Sequence, residues 1–199
     1  AFQDEGYVVS YPRSQQNKVV LIVGGSGGIG AATAKCFASQ GARVIITHRA
    51  DPAKSESAQR LLTTFDGTGH AAYAADVADT GTLFALRDAI AAKYGQLDVL
   101  VNTAGFTKPV PHADLDALDD DLIDRMFMVN WRGQFAAIRT FAPMLKASGD
   151  GLIVSVSSIA GTTGAGSSIA YCATKAGIDV MTKSLARALA PEVRVLGVS

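Results

Sequence analysis

The fold is decided by the stretch Val19-Val20-Leu21-Ile22-Val23-Gly24-Gly25-Ser26-Gly27-Gly28-Ile29-Gly30. Its five consecutive apolar residues predict a buried strand, and a helix is predicted over 31–40, after the glycine-rich turn. Strand, glycine turn and helix in this order are the context of a dinucleotide-binding fingerprint. Backbone N–H groups and the helix dipole bind phosphate at such a helix start. Glycine is needed there because a Cβ would hold the phosphate away from the backbone.

The spacing of the glycines leaves two interpretations open. The pattern is G-x-x-x-G-x-G rather than the common G-x-G-x-x-G, and the two additional glycines allow other registers. Taken alone, the stretch also fits a flexible loop between a strand and a helix. The candidates for cofactor contact in this turn are Gly24, Ser26, Gly28, Ile29 and Gly30.

Composition is typical of a globular α/β protein of one domain. The chain has 199 residues, of which 48% are hydrophobic and 18% are charged. It can therefore bury a sizeable core and is not expected to be disordered. Eighteen basic residues balance eighteen acidic ones, so neither a nucleic acid nor an anionic membrane is expected as a partner. No apolar run approaches the ~20 residues that span a bilayer.

The cysteines, the histidines and the N-terminal residues exclude further classes of protein. Cys36 and Cys172 lie far apart without a C-x-x-C motif, so no disulfide framework is expected. The histidines, His48, His70 and His112, lack metal-ligand spacing, and no metal is expected. Residues 1–17 are polar and lack the apolar core of a signal peptide. They are interpreted as an N-terminal extension of a cytoplasmic protein.

From residue 18 onwards, predicted strands alternate with predicted helices. Further strands are expected at 43–47, 69–75, 97–102, 151–156 and 193–198, and further helices at 52–65, 80–94, 119–146 and 169–189. Pro143 should kink the long helix or end its regular part, and a loop is expected over 157–168. Most strands are apolar on both faces. The sequence therefore predicts a doubly wound parallel sheet between two helix layers, a three-layer α/β/α Rossmann fold in one domain over 18–199.

Polar and small residues at the predicted strand ends are candidates for the cofactor site, because ligands of such folds bind at the carboxyl ends of the strands. The second strand ends where an adenosine ribose would lie, and the third ends in a carboxylate that could accept from the adenine amino group. The polar residues among them could equally cap the strand ends. The candidates are His48, Arg49, Asp76, Val77, Asn102, Ala104 and Gly105.

Tyr171 and Lys175 are four residues apart and lie on one face of a predicted helix. A neutral phenol is a poor acid–base catalyst at neutral pH, and a lysine cation about 5 Å away would favour its phenolate form. A Tyr-x-x-x-Lys pair also arises by chance, so it decides little alone. Ser158 lies at the end of the fifth strand, and Asn130 lies inside the long helix, where asparagine has a poor propensity.

In their order along the chain, these motifs resemble those of the short-chain dehydrogenase/reductase family, of the kind that includes 3-oxoacyl-carrier-protein reductases. The resemblance covers residues 18–199. The matching motifs are Gly24-x-x-x-Gly28-Ile29-Gly30, Asp76-Val77, Asn102-Thr103-Ala104-Gly105, Val129-Asn130, Ser157-Ser158 and Tyr171-Cys172-Ala173-Thr174-Lys175-Ala176-Gly177.

The resemblance implies hydride transfer between a nicotinamide cofactor and a carbonyl or secondary alcohol, with a role for each of four side chains. Tyr171 would be the general acid in carbonyl reduction and the base in alcohol oxidation. Lys175 would hold the nicotinamide ribose hydroxyls and assist Tyr171. Ser158 would orient the substrate oxygen. Asn130 would distort its helix and hold a water in the proton relay.

The resemblance also implies a homotetramer or homodimer, in which helices 119–146 and 169–189 pair across a two-fold axis. These helices carry more apolar residues than one sheet face can cover, although a long helix can also be buried in its own subunit. Examples are Phe127, Phe135, Phe141, Met181 and Leu185.

Cofactor choice is predicted from the end of the second strand. NAD-dependent proteins of this fold place a carboxylate there, but the sequence has His48 and Arg49, and Asp51 lies three residues past the position. A guanidinium can bind a 2′-phosphate with two donors. Arg49 therefore favours NADP over NAD, although Gly27, often Arg in NADP-dependent members, offers no second cation.

The chain also departs from the family pattern. Val23 replaces a threonine that braces the glycine turn, and Thr103 replaces the second asparagine of the Asn-Asn-Ala-Gly motif, which bears on local rigidity. Family members continue past the equivalent of Ser199, so the domain is interpreted as lacking its usual C-terminal segment. Two alternatives stay open: an NAD-dependent sugar or polyol dehydrogenase, and a catalytically silent nucleotide-binding regulator on the same fold.

Overall fold

The computed structural model describes residues 14–199, and residues 1–13 of the predicted N-terminal extension lie outside this range. The strands are Val19–Val23 (β1), Arg43–His48 (β2), Ala71–Ala74 (β3), Val99–Asn102 (β4), Gly151–Val156 (β5) and Val193–Val198 (β6). The helices are Gly28–Ser39 (α1), Pro52–Leu62 (α2), Thr80–Tyr94 (α3), Asp120–Met126 (α4), Gly133–Ala147 (α5), Ala160–Thr163 (α6) and Ile169–Leu189 (α7). A π-helical segment, Phe127–Arg132, joins α4 to α5. Within residues 14–199, no helix is both long and apolar enough to cross a membrane.

The strands form one parallel sheet in the order β3-β2-β1-β4-β5-β6. All of β1 is buried, as its apolar run predicts. Leu21 belongs to the core on one face, together with Phe141 of α5, and Ile22 belongs to the core on the other, together with Ala34 of α1. The predicted three-layer α/β/α fold is confirmed. Since the strand order reverses between β1 and β4, the carboxyl end of β1 is the switch point where such sheets bind ligands.

Three local predictions need correction. The helix after β1 begins at Gly28 rather than Ala31, because the Ala31 N–H already donates to the Gly27 carbonyl oxygen at 2.7 Å. The predicted helix over 119–146 contains the π-helical segment, and α5 continues past Pro143 to Ala147. The predicted loop over 157–168 contains the short helix α6.

The apolar residues of the two long helices divide into core and surface. Phe141 and Met181 are buried in the core of their own subunit, so they give no support to pairing between subunits. Phe135 and Leu185, by contrast, are only partly buried and line an apolar groove of about 410 Å³ between α5 and α7. Phe127 is also partly exposed.

Candidate active site

The glycine turn after β1 is closed by contacts that exclude a side chain at Gly24 and at Gly30. Gly24 has a φ of 82°, and a Cβ there would lie 2.7 Å from the backbone nitrogen of Ala104. A Cβ on Gly30 would lie 2.5 Å from the carbonyl oxygen of Gly24. Gly28 differs, because among residues 14–199 no atom outside its chain neighbours and the backbone of its own helix lies within 4 Å of the position its Cβ would take. Gly24 and Gly30 therefore shape the turn, whereas Gly28 leaves open space beside it.

Two threonine hydroxyls brace this turn although Val23 has none. The Gly24 N–H donates to the Thr47 hydroxyl oxygen at 2.8 Å, and the Thr103 hydroxyl donates to the Val23 carbonyl oxygen at 2.8 Å. Thr103 stands where the family usually has a second asparagine. The structure therefore supplies, from β2 and from the end of β4, the bracing that the sequence analysis expected Val23 to remove.

A cleft of about 680 Å³ lies at the carboxyl ends of β1 to β4. Asn102 does not line this cleft, and neither do the four predicted catalytic residues. The predicted cofactor residues that do line it are Gly24, Ser26, Gly28, Ile29, Gly30, His48, Arg49, Asp76, Val77, Ala104 and Gly105.

The end of β2 presents cations to the cleft. The His48 side chain is buried, with Nδ1 2.8 Å from the Arg49 carbonyl oxygen, whereas Arg49 is exposed. Asp51 does not line the cleft, because its carboxylate accepts the Lys54 N–H at 3.0 Å and caps α2. The Lys54 side chain lines the cleft. Lys54 is not among the residues predicted from the sequence, although its position in the first turn of α2 is a usable signal.

The end of β3 contributes one carboxylate. Asp76 lines the cleft, and its Oδ1 accepts the Ala78 N–H at 2.8 Å. This bond is the capping arrangement that the sequence left open as an alternative. Because Asp76 also lines the cleft, the adenine contact stays compatible with this bond.

Asn102 is fully buried at the end of β4. Neither its amide nitrogen nor its amide oxygen has a hydrogen-bond partner among residues 14–199. Ser155, its register partner on β5, is likewise buried with an unpartnered hydroxyl. The structure therefore does not bring the Asn102 side chain to the cofactor cleft.

Lys175 is anchored beside Tyr171. Its Nζ donates to the Val156 carbonyl oxygen at 2.8 Å and lies 5.6 Å from the centre of the Tyr171 ring. Burial lowers the pKa of Lys175 from its usual 10.5, and the carboxylate of Asp179 opposes this shift. Because Val156 is the last residue of β5, the anchor ties α7 to the strand that leads into Ser158.

Asn130 connects the π-helical segment to the loop after β4. Its Oδ1 accepts the Phe106 N–H at 2.7 Å, and its Nδ2 donates to the Phe106 carbonyl oxygen at 2.8 Å and to Thr174 Oγ1 at 3.2 Å. The predicted distortion of the helix at Asn130 is present. Both hydrogens of its amide nitrogen have protein partners, so this group is not available to a relay water.

Phe106 joins the cleft to the predicted catalytic residues. It lines the cleft, and it packs with Tyr171 against one small apolar cluster formed by Val110, Leu122, Met126 and Ala170. Ser158 lies after β5, where its hydroxyl oxygen accepts the Ala160 N–H at 3.2 Å. The structure thus places Tyr171 beside the end of the cleft that Phe106 lines.

The cleft fits a dinucleotide. The position of a Gly28 Cβ is open, cationic side chains lie at the end of β2, and one carboxylate lies at the end of β3. Among the described residues, no three His, Cys, Asp or Glu side chains are grouped so that they could hold a metal ion.

Fold and cleft together define a dinucleotide-binding protein of the Rossmann type. The sequence model of the short chain dehydrogenase family matches residues 18–199. The chain therefore belongs to this family of NAD(P)-dependent oxidoreductases.

Similar proteins carry several activities in their names. Ketoacyl reductase 2 of the granaticin polyketide synthase of Streptomyces violaceoruber is 37% identical, with 91% of this chain and 71% of the relative covered. D-threitol dehydrogenase of Mycolicibacterium smegmatis is 35% identical, with 85% of this chain and 63% of the relative covered. This chain thus spans about two thirds of the length of these relatives.

Solved structures show the same fold. A short-chain dehydrogenase/reductase from Burkholderia xenovorans superimposes with a TM-score of 0.87 at 36% identity, covering 91% of this chain and 75% of that one. NAD+-bound xylitol dehydrogenase superimposes with a TM-score of 0.85 at 26% identity, covering 94% and 70%.

Proposed function

We propose that the protein transfers a hydride between NADP(H) and a carbonyl or secondary alcohol, with Tyr171 as the general acid and base. The observation that carries this proposal is the anchored pair on α7. Lys175 Nζ is fixed at the end of β5, and it lies 5.6 Å from the Tyr171 ring. Tyrosine can give and take a proton in general acid–base catalysis, and the fixed Lys175 cation beside it can stabilise the anion that forms when the proton leaves.

The proposal assigns a role in the reaction to each of Ser158, Tyr171 and Lys175. NADPH, when bound, supplies the hydride that reaches the carbonyl carbon. The Ser158 hydroxyl donates a hydrogen bond to the carbonyl oxygen and orients it. Tyr171 Oη then gives its proton to that oxygen, so that an alcohol forms. Lys175 stabilises the phenolate left behind and holds the ribose hydroxyls of the nicotinamide half.

Asn130 acts as a positioning residue in this proposal. Its amide holds both backbone groups of Phe106 and the hydroxyl of Thr174, which lies one residue before Lys175. It thereby fixes the loop at the end of the cleft relative to α7. Any relay water at this position would have to bond to groups other than the Asn130 amide nitrogen.

Arg49 supports NADP as the cofactor. It is exposed at the end of β2 and lines the cleft, and the carboxylate of Asp51 is turned to the cap of α2. Within the described residues, no carboxylate therefore lines the cleft at the end of β2 to accept the ribose hydroxyl that NAD carries. A guanidinium–phosphate contact contributes about 1.5–3 kcal/mol, which corresponds to roughly ten- to a hundredfold in affinity.

Two similar proteins support a second candidate, an NAD-dependent polyol dehydrogenase. One is named D-threitol dehydrogenase, and the other is NAD+-bound xylitol dehydrogenase. A silent nucleotide-binding regulator has less support, because Asn130, Ser158, Tyr171 and Lys175 are all present and a regulator has no chemical need for them.

A substrate panel tests the proposal. Full-length protein is given ketones, 3-oxoacyl thioesters, sugars and polyols, and nicotinamide absorbance is followed with NADPH, NADH and their oxidised forms. We expect NADPH-dependent reduction of at least one carbonyl class. Oxidation of polyols with NAD+ alone would support the second candidate, and no turnover of any class, with intact cofactor binding, would support the regulator.

We further propose a cytoplasmic homodimer or homotetramer that pairs through the groove between α5 and α7. Phe135, Ala142, Pro143, Leu185 and Leu189 line this groove. Light scattering on full-length protein should give the mass of two or four subunits. A monomeric mass would contradict the pairing.

A further inference from the structure

The cleft at the end of β2 holds a second cation that sequence analysis did not find. Arg49 and Lys54 both line it and are both exposed. The ion pairs among residues 14–199 are Lys18–Asp98, Arg60–Glu56, Arg87–Asp88 and Arg194–Asp150. Neither Arg49 nor Lys54 is therefore neutralised by a carboxylate within the described residues.

The one acidic residue between these cations is held by the backbone. Asp51 Oδ1 accepts the Lys54 N–H at 3.0 Å and so caps the N-terminus of α2. Asp51 does not line the cleft. The same bond fixes the first turn of α2 relative to the end of β2. Lys54 is therefore held at the cleft by the residue that would otherwise repel an anion.

The position of the two cations relative to the glycine turn indicates which phosphate they meet. The turn follows β1, the adjacent strand, and the Gly24 N–H is bonded to Thr47 at the end of β2. A pyrophosphate on the glycine turn would place the adenosine ribose toward β2. Gly27 contributes no side chain there, and a Cβ at Gly27 would meet only the Gly24 oxygen, at 3.8 Å.

We propose that Lys54 is a specificity-determining residue that binds the 2′-phosphate of NADP together with Arg49. This inference rests on the proposed use of NADP(H). Arg49 supplies a planar fork with two donors, and Lys54, from the first turn of α2, supplies a point charge on a flexible stem. Lys54 takes the place of the second cation that Gly27 cannot provide.

Binding measurements on full-length protein can tell whether Lys54 binds the 2′-phosphate, binds a phosphate common to both cofactors, or does not bind the cofactor. Dissociation constants are measured by calorimetry for NADPH and NADH, and for the fragments 2′,5′-ADP and 5′-AMP, which differ by the same phosphate. The variants are Lys54→Met, Lys54→Arg and the matched control Lys35→Met, an exposed lysine of α1 that does not line the cleft.

We expect Lys54→Met to raise the dissociation constants of NADPH and 2′,5′-ADP roughly three- to tenfold. The constants for NADH and 5′-AMP should stay unchanged. Lys54→Arg should bind both phosphorylated ligands within about twofold of wild type, and Lys35→Met should change nothing. The loss in Lys54→Met should shrink as salt is added, because exposed charges are screened.

Two results would overturn the assignment of Lys54. An equal loss for NADPH and NADH would place Lys54 on a phosphate common to both cofactors. Unchanged binding of all four ligands would remove Lys54 from the site. A different result tests the proposed function itself: if wild type binds NADH at least as tightly as NADPH, the choice of NADP is wrong whatever Lys54 does.

Discussion

The two halves of the candidate active site are built from different parts of the chain. The nucleotide half is formed largely by backbone, since the turn from Gly24 to Gly30 is shaped by contacts that leave no room for a side chain at Gly24 or at Gly30. The catalytic half is formed by side chains, among which Lys175 and Asn130 are buried and held by hydrogen bonds. Backbone can cradle a phosphate without titrating, whereas proton transfer needs a group that does. Because the two halves are built differently, we expect that mutations can reduce cofactor binding and proton transfer separately.

The largest effect is expected at Tyr171. Tyr171→Phe removes the proposed acid and keeps the ring in its apolar contacts, so turnover should fall about 10²- to 10⁴-fold. Steady-state rates with NADPH and the best substrate of the panel measure this loss, and Tyr73→Phe on β3 serves as the matched control. Turnover within threefold of wild type would remove Tyr171 from the mechanism.

In the nucleotide half, Gly30→Ala should cost stability. Its Cβ would lie 2.5 Å from the Gly24 oxygen and 2.7 Å from Thr103 Oγ1, and such overpacking costs about 1–3 kcal/mol. Urea unfolding measures this loss. Gly28→Ala is the control, because its Cβ meets no atom within 4 Å, and its unfolding free energy should stay close to that of wild type. An equal loss of unfolding free energy in both variants would contradict the account in which Gly30 is tightly packed and Gly28 faces open space.

Asn130→Ala tests the connection between the halves. It leaves the Phe106 N–H and carbonyl without their partner, which should lower the free energy of unfolding by about 1–3 kcal/mol. Amide hydrogen exchange should accelerate at Phe106 and stay unchanged at Val110, whose N–H donates to Ser167 at 2.7 Å. Unchanged exchange at Phe106 would show that Asn130 does not hold this loop.

The smallest effect concerns pH and Lys175. Burial lowers the pKa of Lys175 in the folded chain from its usual 10.5, so between these two values the unfolded chain binds more protons. Wild-type stability should therefore rise with pH across this interval relative to Lys175→Met.

The difference in unfolding free energy between wild type and Lys175→Met is measured by chemical denaturation at neutral pH and near pH 10.5. We expect this difference to be larger at the higher pH. Lys183→Met, at an exposed lysine of the same helix, should show no such change. A difference between wild type and Lys175→Met that falls with pH would show that the pKa is raised instead.

Sequence alone predicts the fold because its signals are local. The apolar run of β1 and the glycine turn each lie within a few residues, and every other strand or helix is likewise indicated by its own short pattern. The alternation of these elements then predicts a doubly wound parallel sheet. The residues that line the cleft at the ends of β1 to β3 are predictable for the same reason.

What sequence does not predict depends on contacts between distant segments. The hydroxyl of Thr103 braces Val23 across 80 positions, and the Asn130 amide bonds to Phe106 across 24. Asn102 follows the family pattern in sequence, yet its side chain is buried away from the cleft. Phe141 and Met181 are apolar like their exposed neighbours, and only packing shows that they belong to the core.

Titration of NADPH into two variants tests the separation of binding from chemistry most directly. Gly28→Ala places a Cβ in the open space beside the glycine turn and leaves Tyr171 untouched, so its dissociation constant should rise at least about tenfold. Tyr171→Phe keeps the glycine turn, so its dissociation constant should stay within about threefold of wild type. The opposite pattern, with normal binding in Gly28→Ala and lost binding in Tyr171→Phe, would contradict a backbone cradle with a side-chain catalyst.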